Sequence, residues 1–275
     1  TILLATIYTL TRYSYKQVVV FLDVGQGSSV LVQNNNCQVL IDFGNSYQAT
    51  YALGSILKPT DSVIEHAFIT HMDKDHSHGL INLAQRYTIE NIYISQFAHY
   101  NLPRFNLPIN TVLAPSRKTL CEVNFDVLWP RKDLPSQGSK NENSIVVYFE
   151  FNGHSFLLSA DIGCVSEKQI INLYPGLKAD VLQSGHHGSK HSSCISYLKQ
   201  VAPEYVVTQS GYQNRYNHPH PDFLNRLDYL NFKHFRTDIM GDIIFDVSKS
   251  QLQVVQNLLK LPKQLQVRFR ELIAL

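Results

Sequence analysis

The chain carries little charge, no closely spaced cysteines and no long apolar run. Of its 275 residues 17% are Asp, Glu, Lys or Arg, and the net charge is +2 with histidine neutral. That balance excludes recognition of nucleic acid by bulk charge and confines any attraction for anions to local clusters. The four cysteines, Cys37, Cys121, Cys164 and Cys194, are scattered without a C-x-x-C pair. Neither a thiolate zinc site nor a disulfide framework is legible in them, and they leave the redox compartment open. The opening TILLATIYTL stops after about ten residues, short of the roughly 20 that span a bilayer, and no basic segment precedes it as a secretory signal would require. Residues 1–16 read as the stub of a longer protein, cut near a membrane segment, with an ordinary first strand as the competing reading. At the other end the basic tail 256–275 sets Lys260, Lys263, Arg268 and Arg270 against Glu271, a pattern that suits a solvated terminal helix better than a nucleic-acid or membrane contact.

What is present is a globular composition, 44% apolar and 11% aromatic, enough for a sizeable core. Short β-rich runs fill the first half: QVVVFLDV, SSVLVQ, CQVLIDFG, HAFIT and NIYIS, separated by Gly, Asn and Asp. VGQGSS and QNNNCQ read as tight hairpin connections. The GQG is too short for a dinucleotide fingerprint, and no helical run follows it. SHGLINLAQRY and SCISYLKQVA carry helical spacing, the second with Ile195, Leu198 and Val201 on one face. The second half repeats the order. NSIVVYFEFNGHSFLLSADIG predicts a hairpin turning at Asn152 and Gly153, ADVLQSG and PEYVVTQSG predict strands, and HPDFLNRLDYL predicts a helix. The proline-bearing stretch 101–137 reads as an irregular loop within one domain. Two β-then-α halves predict an α/β protein built as a four-layer αββα sandwich over residues 17–255.

Residues 71–79, HMDKDHSHG, crowd metal-capable side chains onto one turn between a strand ending at Thr70 and a helix beginning near Asp75. His71, Asp73, Asp75 and His76 fall as H-x-D-x-D-H. Alternate extended residues point to one side and the helix start swings the next pair round to face them, so one loop can serve two ions. The plain alternative, Asp75 as a helix cap among exposed histidines, accounts for one of the four positions. Further candidates stand just beyond later apolar runs: Asp161 in FLLSADIG, and His186 and His187 in VLQSGHHGSKH.

These residues resemble the metallo-β-lactamase superfamily, whose signature is H-x-[HD]-x-D-H followed by a bridging Asp and a later His. In order, FLDVGQGSSVLV, LIDFGN, THMDKDHSHG, NENSIVV, FLLSADIG, DVLQSGHHGS and SGYQNRYNHPHP are similar to the C-terminal hydrolase-like domain of ComEC-type DNA-internalisation proteins of natural competence. The resemblance implies His71 and Asp73 on one metal, Asp75, His76 and His186 on the other, Asp161 bridging, and Asp42 supporting the metal-binding loop. Where the superfamily often gives the first ion another histidine, NENS puts Asn143, as a weak ligand or a substrate contact.

A Zn²⁺ or Mn²⁺ pair roughly 3.5–4 Å apart would lower the pKa of a shared water to about 7. Two such ions against Asp73, Asp75 and Asp161 leave about one positive charge, which suits an anionic phosphodiester. Two carboxylates in the H-x-D-x-D-H turn and no thiolate make the site hard, a composition that favours Mn²⁺ more than an all-histidine site would. His187 and His218 are candidates to donate to a phosphate oxygen or leaving group. Lys140, Lys190 and Arg215 are candidate phosphate contacts, and Tyr212 and Tyr216 candidate stacking partners for bases; ordinary exposure is the competing reading for all five. The resulting expectation is a two-metal phosphodiesterase acting on DNA during uptake, degrading the strand that is not imported. By the resemblance its partners are a membrane channel within the same polypeptide and the DNA-uptake machinery, and its place the periplasmic or extracellular face of the cytoplasmic membrane. Two rivals stay open: hydrolysis of a small phosphodiester or ester, and a non-catalytic module that guides DNA.

Overall fold

The computed structural model describes residues 16–97, 108–134 and 139–256. The expected stub, except Lys16, and the expected basic tail, except Gln256, lie outside them. Seventeen strands form two large sheets and one small one among the described residues. The first large sheet runs, edge to edge, β17 (Gln253–Gln256), β16 (Ile243–Asp246), β1 (Gln17–Phe21), β2 (Val30–Asn34), β3 (Cys37–Ile41), β5 (His66–Ile69), β7 (Ile92–Ser95) and β8 (Ile109–Val112). The second runs β15 (Lys233–Arg236), β14 (Tyr205–Thr208), β13 (Val181–Gln183), β12 (His154–Leu158), β11 (Val146–Phe151), β10 (Val123–Trp129) and β9 (Ser116–Leu120). The small ladder pairs β4 (Val63–Ile64) with β6 (Thr88–Ile89).

Strand periodicity explains the layering. Val19 and Phe21 point into the space between the two sheets, meeting Phe125, Val147, Phe149 and Phe156. Val18 and Val20, on the opposite face of the same strand, meet Ala49, Leu53, Leu80 and Leu83 from the helices outside the first sheet. A third cluster joins Leu157 and Leu182 of the second sheet to Ile170, Leu198, Val201 and Phe223 of the helices outside it. Two-sided burial of this kind requires helix, sheet, sheet and helix in that order. Each buried aliphatic or aromatic side chain contributes about 1.5–3 kcal/mol relative to exposure. The predicted four-layer αββα sandwich is the observed fold.

Several features depart from the sequence reading, including a helix over Cys164–Leu173 that it did not predict. The stretch taken as an irregular loop contains β8, β9 and β10, so it is part of both sheets rather than a loop. All four cysteines are paired. Cys37–Cys121, with Cα atoms 5.5 Å apart, joins the start of β3 to the β9–β10 turn, and Cys164–Cys194, with 5.6 Å, joins two helix starts. Sequence separations of 84 and 30 residues hide both bonds from any local motif. The helix expected over 77–87 is broken into α2 (Lys74–Ser77) and α3 (Leu80–Leu83), numbered after α1 (Gln48–Gly54). The remaining helices are α4 (Cys164–Leu173), α5 (Ile195–Val201), α6 (Pro221–Leu230) and α7 (Thr237–Met240). The hairpin at Asn152 and Gly153 is where it was expected, both residues with the positive φ that a tight two-residue turn needs.

Candidate metal centre

Strands β3 and β5 are parallel in one sheet, and β12, β13 and β14 are parallel in the other. Their C-terminal ends open on one edge of the sandwich, the usual place for a site in parallel sheets. Asp42, His71, Asp161, His186, His187 and Gln209 all stand just past those ends. Predicted turns and ligands from distant parts of the chain therefore meet.

The bracing comes first. Asp42, with φ +63°, accepts hydrogen bonds from the Thr70 N–H at 2.8 Å and the Thr70 hydroxyl at 2.7 Å. Its Oδ2 also accepts the His76 Nδ1–H at 2.6 Å. This is the supporting place the resemblance gives Asp42. The turn is held from the other side by Ser28, whose N–H donates to the Asp75 carbonyl at 3.0 Å. A Cβ on the neighbouring Gly27 would collide with that carbonyl, and one on Gly79 with the Phe43 carbonyl. The GQG turn is thus a hairpin connection, as expected, and a wall of the metal loop as well.

Two groups of side chains then face the two oxygens of Asp161. On the Oδ1 side stand His76 Nε2 at 3.1 Å and His187 Nε2 at 3.6 Å, with Asp75 Oδ2 3.3 Å from His187. On the Oδ2 side stand His71 Nε2 at 3.8 Å and His186 Nε2 at 3.7 Å, with Asp73 Oδ2 3.8 Å from His71. The sequence reading puts His186 with Asp75 and His76 and leaves His187 to proton transfer; in the structure the His187 ring stands beside Asp75 and His76, and the His186 ring faces the other oxygen of Asp161, beside His71. The reason is local backbone. His186 and His187 both have left-handed φ/ψ, near 47°/52° and 55°/27°, which costs an L residue roughly 1–2 kcal/mol. That conformation sends the two rings to opposite oxygens of one carboxylate. The loop is tied down to hold it: His186 N–H donates to the Ala160 carbonyl at 2.8 Å, Gly185 N–H to Ser193 Oγ at 3.0 Å, and Arg226 to the Ser192 carbonyl at 2.8 Å.

Charge and tautomer decide what the cluster fits. His76 Nδ1 donates to Asp42 and His187 Nδ1 donates to the Gln209 carbonyl at 2.9 Å. Both Nε2 atoms are then free to act as acceptors, and they face each other at 3.3 Å. Two ring nitrogens beside two carboxylates in this geometry satisfy one another only through a proton or a cation. Burial works against charge on His76, but the Asp161 and Asp42 carboxylates overcome it and raise its pKa well above the ordinary value. Burial works against Asp161 likewise, yet the positive His76 and His187 rings hold its pKa well below the ordinary range. Asp75 is held down to about 2, burial being outweighed by the His187 hydrogen bond and the His76 charge. Across the bridge His71 is pushed down to about 4 by burial and by the neighbouring His76 charge. Its Nε2 is buried with no hydrogen-bond partner. A neutral imidazole with a bare, buried lone pair aimed at carboxylates fits a divalent cation, as does the triad Asp75, His76, His187, whose ligand atoms lie within 4.8 Å of one another.

The other predicted site residues divide. His218 is at the edge, its ring 5.8 Å from His186 and 6.5 Å from His187. Burial, with the neighbouring His187 and His186 rings, lowers its pKa to about 4, and its Nδ1 is buried without a partner. Arg215 lines a cleft with Asp73 and Asp75, and Lys190 a neighbouring cleft with His218. Lys140 and Asn143 lie on the short turn over 140–143, which adjoins the site through the Ile145 N–H to Thr70 carbonyl bond at 2.9 Å. Lys140 is exposed; Asn143 Nδ2 reaches the Ser139 carbonyl at 3.4 Å, and its Oδ1 is buried without a partner. In the same motif Glu142, not singled out by the sequence reading, accepts from the Ser166 N–H at 3.2 Å and so clamps the start of α4. Gln183 and Gln209 were also missed. Gln209 Nε2 donates to the Leu22 and Ser29 carbonyls at 2.9 and 2.7 Å, and Gln183 Nε2 to Gln209 Oε1 at 2.9 Å, joining the two sheets beneath the site. Their signal was the triplet QSG, present twice, at 183–185 and 209–211, each time at the end of a strand.

A double sheet between helices with an H-x-D-x-D-H turn at its parallel edge defines a class. The family model for the metallo-beta-lactamase superfamily matches residues 22–209, and the chain belongs to that superfamily. Its members are usually metal-dependent hydrolases. Among individual proteins, the chain is 30% identical over 250 residues to ComE operon protein 3 of Bacillus subtilis, an alignment covering 81% of this chain and 32% of that protein. It is 32% identical over 233 residues to Competence protein ComA of Neisseria gonorrhoeae, covering 82% and 32%, and 28% identical over 255 residues to Recombination protein 2 of Haemophilus influenzae, covering 86% and 29%. The competence-type resemblance drawn from the motifs is matched by these relatives, and the chain spans about a third of their length. YhfI of Bacillus subtilis shares the fold at a TM-score of 0.58 and 12% identity, covering 82% of this chain and 98% of YhfI. The metal-dependent hydrolase Tm1679 does so at 0.53 and 13%, covering 80% and 96%. None of the described helices is long and apolar enough to cross a membrane.

Proposed function

We propose that this chain is a two-metal phosphodiesterase domain acting on DNA during natural competence, and that it degrades the strand not imported. The observation that carries the metal reading is the convergence of two side-chain groups on the two oxygens of one buried carboxylate. In this reading Asp75, His76 and His187 would hold one Mn²⁺ or Zn²⁺ and His71, Asp73 and His186 the other, with the Asp161 carboxylate between the two groups. Divalent ions held there would supply Lewis acidity toward phosphate oxygens and lower the pKa of a water. The chain's own residues do the rest. Asp42 and the Gln209 carbonyl fix the histidine tautomers. His218, neutral at pH 7 and with an unpartnered Nδ1, is placed to hydrogen-bond a phosphate oxygen or leaving group. Lys74 and Arg215 on one side and Lys190 on the other give an anionic backbone its local attraction.

The DNA part of the reading is supported by the competence names of the relatives and by two rims that carry cations on a chain of modest net charge. Two disulfides suit an oxidising compartment, which supports a place on the periplasmic or extracellular face of the cytoplasmic membrane. There the rest of a longer polypeptide would supply a channel, beside the uptake machinery. The test is a time course on end-labelled single- and double-stranded DNA with Mn²⁺, Zn²⁺ or EDTA, run beside a phosphodiester dye. Metal-dependent DNA cleavage that disappears in His76→Ala is the expected result. A dye cleaved faster than any oligonucleotide would select a small-substrate hydrolase instead, and tight binding in EDTA without cleavage in any metal would select a DNA guide.

A further inference from the structure

The loop 211–220 stands as a ridge between two clefts at the metal edge. One, of about 870 Å³, is lined by Asp73, Asp75 and Arg215; the other, of about 810 Å³, by Lys190, His218 and Arg236. Tyr216 lines both, and it is 48% exposed. A single exposed aromatic is ordinary on a protein surface. This one is held in place.

Asn214 Oδ1 accepts the N–H groups of Tyr216 and His218 at 3.1 and 3.0 Å, and Asn214 Nδ2 donates to the Gly211 carbonyl at 2.9 Å and to the His218 carbonyl. One side chain thus fixes both ends of the ridge. Arg215 donates to the Tyr216 hydroxyl at 2.6 Å, and its guanidinium carbon lies 4.8 Å from the ring centroid. The predicted phosphate contact therefore also braces a ring. Inward from Tyr216 the rings continue: His218 at 6.0 Å and 27° between planes, then His187 at 6.5 Å and 30°. A file of nearly parallel rings leads from solvent to the metal centre, with cations on both sides.

We propose that Tyr216 is a stacking platform for a nucleobase of a single strand, whose backbone runs from the Arg215 cleft past Asp75 and His218 into the Lys190 cleft. A base lies on a side-chain ring only when it has left its own duplex, so the ridge selects single-stranded DNA or a frayed end over an intact duplex. The inference rests on the DNA reading above and names the form of DNA the site takes.

Its test uses Tyr216→Trp. The chain has one natural tryptophan, Trp129, which is 1% exposed, so the introduced indole reports on the ridge. A single-stranded dT oligonucleotide should quench its emission, while the same length of abasic strand and a blunt duplex should not. Tyr216→Ala should bind the dT strand about tenfold more weakly by fluorescence anisotropy and the abasic strand as the unaltered protein does. Equal quenching by the abasic strand, or DNA bound by anisotropy without quenching, overturns the platform and leaves the DNA reading standing. No binding and no cleavage of any DNA by the unaltered protein overturns both.

Discussion

The two sides of Asp161 are built to different standards. On the Oδ1 side His76 and His187 are buried to 0% and 4% exposure, their Nδ1 atoms are held by Asp42 and Gln209, and the contacts to Asp161 run from 3.1 to 3.6 Å. On the Oδ2 side Asp73 and His186 are 40% and 38% exposed and the contacts stretch to 3.7–3.8 Å. A preorganised ligand set loses less freedom on binding and holds its ion harder. One ion should therefore bind tightly and persist, and the second should come and go with metal concentration. On the proposed two-ion reading, that asymmetry would put the tightly held ion inside the protein and the adjustable one next to the clefts.

Removing the shared group breaks the comparison outright. Asp161→Asn should retain neither ion after gel filtration, read by metal analysis, because both sides lose their common negative charge; retention of one ion would mean that the bridge is not shared. A smaller effect comes from the support of one side. Asp42→Asn releases the His76 tautomer and should weaken the tight ion roughly 10–100-fold while leaving the weak one nearly unchanged, which a chelator competition assay separates. Smaller still, Asp73→Asn should weaken the outer ion alone, seen as a higher Mn²⁺ concentration for half-maximal occupancy.

The smallest effect sharpens the picture from beneath the site. Glu167 is buried, and desolvation lifts its carboxyl to about 8 despite the N–H groups of Ser193 and Cys194 that it accepts. Its folded pKa lies above its ordinary 4.5, so the folded chain keeps a proton that the unfolded chain gives up. Its contribution to stability is full below about pH 4.5 and falls as pH rises toward about 8. Glu167→Gln should remove that slope, seen as less change in denaturation midpoint between pH 5 and pH 8 than in the unaltered chain.

The readable parts of the molecule were those set by neighbours in sequence. QVVVF announced a strand, and H-x-D-x-D-H announced its own turn because extended and helical backbone swing those four side chains into place. Long-range facts were silent: Cys37 and Cys121 gave no motif, and the strands within 101–137 were masked by prolines. Helix α4 was missed because its pattern is inverted, with Ser166 and Glu167 buried and Val165 half exposed. Which of His186 and His187 faces which oxygen depends on two successive left-handed residues, a geometry that residue types do not encode.

Calorimetric titration of the demetallated protein with Mn²⁺, beside His187→Ala and His186→Ala, tests the central asymmetry most directly. Two binding steps of unequal affinity are predicted in the unaltered protein, with His187→Ala erasing the tight step and His186→Ala only the weak one. Loss of the tight step in His186→Ala with its survival in His187→Ala would contradict the account.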